Sequence, residues 1–232
     1  MQQRLLTPEL MDDPDLEPGL LRAALAGLGR LNALSGADAI TWRALRSEAR
    51  TAGRSLRVLD VACAAGDLVL AARSRAARER VPLEIHGCDI NPLSIRLANE
   101  KAAAHPGPGR FFVHDAIQPL PAGEYDIVMS SLFLHHLGNE HATLVLRRMS
   151  DAAARLVLVN DLVRSSANLA LIAVASHAVT RSHVVHTDAA LSVRAAFTRP
   201  ELRALVRGAG MENAELRWGG LCRTMLVWRR TA

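Results

Sequence analysis

Three acids recur in the first half of the chain, each closing a short apolar run: Asp60 in VLDVACAAGD, Asp89 in GCDINP and Asp115 in VHDA. Between the first two lies a turn of very small residues, Ala62, Cys63, Ala64 and Gly66, which runs into a helical segment starting near Asp67. Small side chains let the backbone approach a ligand closely, and a helix start aims free N–H groups at it. A carboxylate at Asp89 can accept both hydroxyls of a ribose, with Ile90 as an apolar surface beside an adenine and Asp115 accepting from its amino group. Asp60 separates this pattern from a dinucleotide site, which needs glycines and an acid after the second strand but no acid inside the end of the first. A ligand with a cationic amino-acid tail does call for Asp60, which can place an ammonium or sulfonium electrostatically.

Acid–base candidates lie in SSLFLHHLGNEH, where His135 and His136 come just after another apolar run. Imidazole titrates near neutrality, so either could accept a proton from a bound hydroxyl. Adjacent residues point in different directions, so one at most is expected to face a substrate, and a structural pair shaping the pocket floor is the plainer expectation. Asn160 and Asp161 in VND lie on the same rim, as substrate-orienting groups, a base, or an N-cap for the next helix. Asp12 and Asp13 read as a solvated loop. His177, His183, His186 and Asp188 invite a metal, since His183 and His186 could share a helical face, but nothing completes a recognised ligand spacing and no metal is assigned. Arg181 and Arg194 suit anion or phenolate partners in a lid better than metal chemistry, with simple exposure of several of these side chains the plainer expectation. The thiols of Cys63 and Cys88 are assigned no chemistry.

These residues need a scaffold that gathers strand ends. LRVLDVA (56–62) is nearly continuous in apolar residues, the pattern of a strand covered on both faces. LEIHGC (83–88), RFFVH (110–114), YDIVMSS (125–131) and RLVLVN (155–160) continue the series, with helical segments over 67–80, 92–104 and 139–153. Strands alternating with helices at this spacing form a parallel sheet with helices on both sides, and ligands sit outside the carboxyl ends of such strands. A helix over 199–210 precedes NAELRW and CRTMLVW, whose junction at Gly219-Gly220 is a hairpin signal that makes the last strand antiparallel. The expected fold class is therefore α/β, a Rossmann-like doubly wound sheet, mostly parallel. Residues 1–232 read as one domain: a helical cap over 1–50, a ligand-binding core over 56–160, a lid insertion over 161–198, and a closing helix and β-hairpin over 199–232.

VLDVACAAGD, GCDINP, HDA and YDIVMSSLFLHHL, taken in order, resemble the successive motifs of the class I S-adenosylmethionine-dependent methyltransferases. The closing segment FTRPELRALVRGAGMENAELRWGGLCRTMLVW fits that fold, and LNALSGADAITWRAL is loosely similar to the helix that covers the cofactor in quinone-biosynthesis methyltransferases. The resemblance implies a seven-stranded sheet and S-adenosylmethionine as cofactor, with S-adenosylhomocysteine as product. It makes Asp60, Ala62 and Gly66 the first cofactor loop, with Cys63 and Ala64 inside it. Asp89 and Ile90 would hold ribose and adenine, Asp115 and Ala116 the adenine edge, and Ser130 or Ser131 would bring a backbone carbonyl near the methionine amine. Where the family more often has glycine, this chain has Ala62 and Ala64. A methyl group there costs little at negative φ, but about 1 kcal/mol or more if the backbone must be left-handed.

Composition bounds the remaining readings. Three cysteines in 232 residues are no disulfide framework, the N-terminus has no secretory core, and no apolar run is long enough for a bilayer, so a cytoplasmic protein is expected. The net charge of +5 comes from scattered arginines, and aromatics make up 3%, which argues against a nucleic-acid partner. The expected partner is a small, largely apolar acceptor such as a phenolic or polyketide hydroxyl, methylated on oxygen with His135, His136 or Asp161 as the catalytic group. C-methylation of a quinone-type ring and a non-catalytic binding protein on the same fold are the alternatives, and the oligomeric state, monomer or homodimer, is open.

Overall fold

The structure, a computed structural model, describes residues 3–231 except 14, 105, 106 and 122, and the side chain of Asp12 also lies outside the described part. Five strands run parallel: β1 (Leu56–Val61), β2 (Leu83–Asp89), β3 (Phe111–Val113), β4 (Tyr125–Ser131) and β5 (Ala153–Leu162). β6 (Glu215–Trp218) and β7 (Arg223–Arg229) form the closing hairpin, and β7 pairs antiparallel with β5. The order β3-β2-β1-β4-β5-β7-β6 reverses direction between β1 and β4, which opens a crevice above the tips of those strands.

Strand residues alternate between two cores. Val58, Ile127, Leu158 and Met225 face α2 (Ala37–Ala52), α3 (Asp67–Glu79) and α4 (Pro92–Ala103). Leu59, Val128, Val157 and Leu226 face α5 (Asn139–Ala152) and α8 (Arg199–Gly208). Burial on both faces explains why the parallel strands lack a polar-out alternation in sequence. α1 (Pro18–Ser35) starts where the Glu17 carboxylate accepts from the N–H groups of Gly19 and Leu20, and ends at Gly36, whose φ of 69° only a residue without Cβ adopts freely. α6 (Ser166–Val179) and α7 (His183–Ala195) fill the lid region.

Two boundaries differ from the sequence expectation. The described residues before α1 are not helical apart from a 3-10 turn at Leu10–Asp12. Prolines at positions 8, 14 and 18 punctuate that stretch. It runs instead as an extended strap along α7, with Leu5 N–H donating to Arg194 O and the N–H groups of Leu10 and Met11 to the Asp188 carboxylate. β5 runs on through Asn160 and Asp161 because both keep pairing with β7, opposite Met225 and Thr224. The cap of the next helix is Ser165, not either of them.

Candidate active site

The turn after β1 is built from left-handed backbone. Ala62, Ala64 and Gly66 have φ of 58°, 47° and 76°, so both alanines carry the strain that L-residues meet there, about 1–2 kcal/mol each. Hydrogen bonds to β2 offset it. Ala64 N–H donates to Asp89 Oδ2 at 2.9 Å, Cys63 N–H to Cys88 O at 2.9 Å, and Gly66 N–H closes back on Cys63 O. Gly66 has no such latitude, since a Cβ there would lie 2.7 Å from the Phe111 ring. The Cys63 side chain packs over Gly87, and burial raises both the Cys63 and the Cys88 thiols, Cys88 to about 12, so neither is a ready nucleophile.

Around this loop stand the acids read from sequence. Asp60 is buried with Oδ1 unpartnered, and its burial, with Asp89 and Asp38 nearby, raises its carboxyl well above the usual range. A buried acid with a free oxygen is a site for a cation. Asp89 also accepts from Asn91 N–H at 2.9 Å, and Ile90 beside it is exposed, a free apolar surface. Asp115 accepts from Ile117 N–H at 3.0 Å with Ala116 buried behind it. Ser130 spends its hydroxyl on Val61 O at 2.8 Å and ties β4 to β1, while Ser131 stands half-buried on the other face of the strand. The orphaned Asp60 oxygen and the cradle at Gly66 fit a ligand with a nucleoside body and a cationic tail.

A second group sits above β4 and β5. His135 Nδ1 and Asp161 Oδ1 are 2.6 Å apart, Asp161 Oδ2 accepts from His135 N–H at 3.2 Å, and both residues are buried. Burial disfavours charge on each, yet each one's attraction for the other outweighs it. His135 is held above its ordinary pKa and Asp161 below. The far side of the ring, Nε2, faces the Glu9 carboxylate at 3.8 Å, and Glu9 in turn accepts from Ser192. His135 is thus enclosed between β5 and the strap. His136 lies beside it, half-buried, with ring centroids 4.3 Å apart. The ligand atoms of Glu9, His135 and His136 lie within 4.8 Å of one another. Leu132, at the end of β4, holds φ of 56° and packs with Leu162, Leu169 and Ile172 into an apolar patch under α6.

The lid residues are dispersed. His186 does not join His183 in a ligand set. Its ring stacks on His177 with centroids 3.8 Å apart and its Nε2 meets Thr180 O. Arg181 and Arg194 are exposed, while Asp188 is committed to the strap backbone. Asn160, expected on the rim, is buried with Oδ1 unpartnered. Sequence reasoning missed three residues the fold brings in, none of which sits in a local motif. Arg4 donates to His135 O at 2.7 Å and lies 3.7 Å over the Phe197 ring. Glu9 faces His135, and Arg223 is buried at the start of β7. The cleft of about 300 Å³ lined by Glu48, Arg155 and Arg229 lies by the start of β5, at the opposite edge of the sheet.

Residues 58–155 match the family model described as a methyltransferase domain. The sheet order above is that of the Rossmann-like methyltransferase fold. The chain is similar in fold to the methyltransferase SibL in its apo form, with 18% identity, a TM-score of 0.68, and coverage of 97% of this chain and 63% of that one. It is also similar to the magnesium protoporphyrin IX methyltransferase of Synechocystis with bound S-adenosylhomocysteine, with 15% identity, a TM-score of 0.58, and coverage of 95% and 91%. An O-methyltransferase family 2 protein from Planctomyces limnophilus in complex with apigenin shares 14% identity, a TM-score of 0.55, and coverage of 76% and 51%. No curated protein sequence matches the chain significantly. Among the described residues no helix is long and apolar enough to cross a membrane.

Proposed function

We propose that the protein methylates a hydroxyl oxygen of a small, largely apolar acceptor, phenolic or polyketide in type. The observation that carries this reading is the half-buried His136 ring beside the enclosed His135–Asp161 pair at the tips of β4 and β5, next to the apolar patch of Leu132, Leu169 and Ile172. In this reading the loop from Ala62 to Gly66, with Asp60, Asp89, Ile90, Asp115 and Ala116, holds S-adenosylmethionine. When bound there, S-adenosylmethionine would supply an activated methyl group on a sulfonium, a leaving group that needs no proton from the protein. The protein's work is to align the acceptor oxygen behind that methyl, exclude water, and take the hydroxyl proton.

His136 accepts that proton, and His135, locked by Asp161, fixes the ring beside it. α1 and α2 cover the cofactor, while α6, α7 and the strap roof the acceptor. The three cysteines are unpaired and buried, which supports a reducing, cytoplasmic setting.

The test begins with calorimetric titration of S-adenosylhomocysteine into wild type and Asp89→Ala, and continues with transfer of labelled methyl to phenols and quinols. Binding that the variant loses, with label in an ether product and a rate cut by roughly a hundredfold in His136→Gln, is the expected result. Label on ring carbon would replace O- by C-methylation, and no binding by a folded sample would end the enzymatic reading.

A further inference from the structure

At the edge of the sheet away from the strand tips, one buried acid has more cationic partners than its burial requires. Glu48 shares the buried side of α2 with Leu45 and Ala49 and is 5% exposed. An ionised carboxylate in such a place must be paired. Both of its oxygens are: Arg155 Nη2, at the start of β5, donates to Oε1 at 3.1 Å, and Arg229 Nη1, at the end of β7, donates to Oε2 at 2.6 Å. Burial pushes the Glu48 carboxyl up, but the hydrogen bonds from Arg229 and Arg155 outweigh it and hold the group below its ordinary range. Glu48 is thus an anion that fixes two guanidiniums side by side.

One guanidinium would neutralise Glu48, and the fold brings three. Arg230 is anchored to the start of β5, its backbone N–H donating to Arg155 O and its Nε to Ala153 O, each at 2.9 Å. All three arginines line the cleft of about 300 Å³ beside Glu48. Three guanidiniums against one carboxylate leave two positive charges on its walls. Asp126, which Arg155 also attracts, is already held by Arg54 Nη1 and by Arg57 N–H, each at 3.0 Å. A guanidinium carries five N–H donors, and Arg155 and Arg229 each give one to Glu48. Arg155 Nε is buried and, among the described residues, without a hydrogen-bond partner. Arg229 and Arg230 are exposed, so the cleft opens to solvent. A planar carboxylate is already built into this cluster. What remains is a double positive charge and donors from three separate forks, which a tetrahedral dianion matches with oxygens directed at more than one of them.

We propose that this cleft is a phosphate site, in which Arg155, Arg229 and Arg230 hold a phosphate dianion and Glu48 fixes the first two of them in place. It lies at the opposite edge of the sheet from the His135–Asp161 pair, and the inference is independent of the cofactor and acceptor readings.

The test is equilibrium dialysis of the full chain against labelled inorganic phosphate at pH 8, with ionic strength held constant so that screening does not vary. Acetate and glycerol 3-phosphate serve as competitors. Wild type should bind one phosphate per chain, saturably. A hydrogen bond to a charged group is worth roughly 10- to 150-fold in affinity. Arg155→Gln and Arg229→Gln should therefore each weaken binding at least about tenfold, and Arg229→Lys should keep part of the affinity. Arg203→Gln, which alters an exposed arginine on α8, should leave it unchanged. Stronger competition by glycerol 3-phosphate than by unlabelled phosphate would assign the site to a phosphate monoester, and the reverse order to the free ion. If Arg155→Gln does not fold, Arg229→Gln, whose side chain is on the surface, decides alone. Absence of saturable binding by wild type, acetate competing as well as phosphate, or equal losses in Arg229→Gln and Arg203→Gln would each overturn the proposal.

Discussion

The two halves of the carboxyl edge are built on opposite plans. Around β1, β2 and β3 the polar side chains bind backbone a short way off in sequence or on the neighbouring strand: Asp89 to Asn91 and Ala64, Asp115 to Ile117. Around β4, β5 and β7 the contacts join remote parts of the chain. Arg4 and His135 are 131 positions apart, Glu9 and Ser192 are 183 apart, and Arg223 and Asn32 are 191 apart. The first plan gives a cradle assembled from contacts within single turns and between neighbouring strands. The second gives an enclosure that exists only when several elements are in place.

The sharpest way to break the cofactor half is Gly66→Ala. The φ of 76° and the 2.7 Å approach to Phe111 leave no room, so S-adenosylhomocysteine binding should vanish and stability should fall by at least about 3 kcal/mol, read by calorimetry and urea unfolding. The other half breaks at Asp161→Asn. Removing one partner of a buried ion pair costs about 3–5 kcal/mol, while affinity for S-adenosylhomocysteine should stay within about threefold if the halves are as separate as their contacts.

The same pair sets a pH dependence. His135 is raised above its ordinary value, so its contribution is complete below about pH 6.5 and fades as pH climbs through the raised value. Asp161 is lowered, so its contribution is present above about pH 4 and is lost as pH falls through the lowered value. The stability gap between wild type and Asp161→Asn should therefore be widest at about pH 4–6.5 and narrow on both sides.

Two smaller effects sharpen the contrast. Asp60 is raised, so ionising it destabilises the unliganded protein increasingly as pH rises above about 3.9. Asp60→Asn should raise the melting temperature at pH 7 by about 2–4 °C per kcal/mol relieved, while weakening S-adenosylhomocysteine. Ala62→Gly and Ala64→Gly should each stabilise the fold by up to about 1 kcal/mol by removing left-handed strain, less the entropy glycine adds to the unfolded chain. Their effect on ligand affinity should be slight, because the backbone already holds the shape the ligand needs.

The same division explains how much was legible in the sequence. The strand ends at Asp60, Asp89 and Asp115, the small turn and the closing hairpin are local patterns, and the structure places them in one sheet as expected. The left-handed φ of Ala62 and Ala64 is beyond reach, because alanine as a residue type favours negative φ. Asn160 and Asp161 stand together in VND, yet in an extended strand they face opposite sides, one on the face of Arg223 and the other toward His135. Telling them apart requires knowing that β5 continues through both. Arg223 is one arginine among many until β7 is set beside β5, and Arg4 and Glu9 belong to the extended strap, where a helical cap is expected.

The strap carries a consequence for how the protein is made. Synthesis runs from the N-terminus, so Arg4 and Glu9 emerge well before the groups that receive the strap, among them Asp188, Ser192, Ala195 and Phe197. The contacts among β1, β2 and β3 can form once β3 is complete, but the strap cannot lock until the residues through Phe197 have been made. Contacts of such long sequence separation form late. A stalled or truncated chain ending before α7 would thus have the means to hold a nucleoside and none to seal the space beside it.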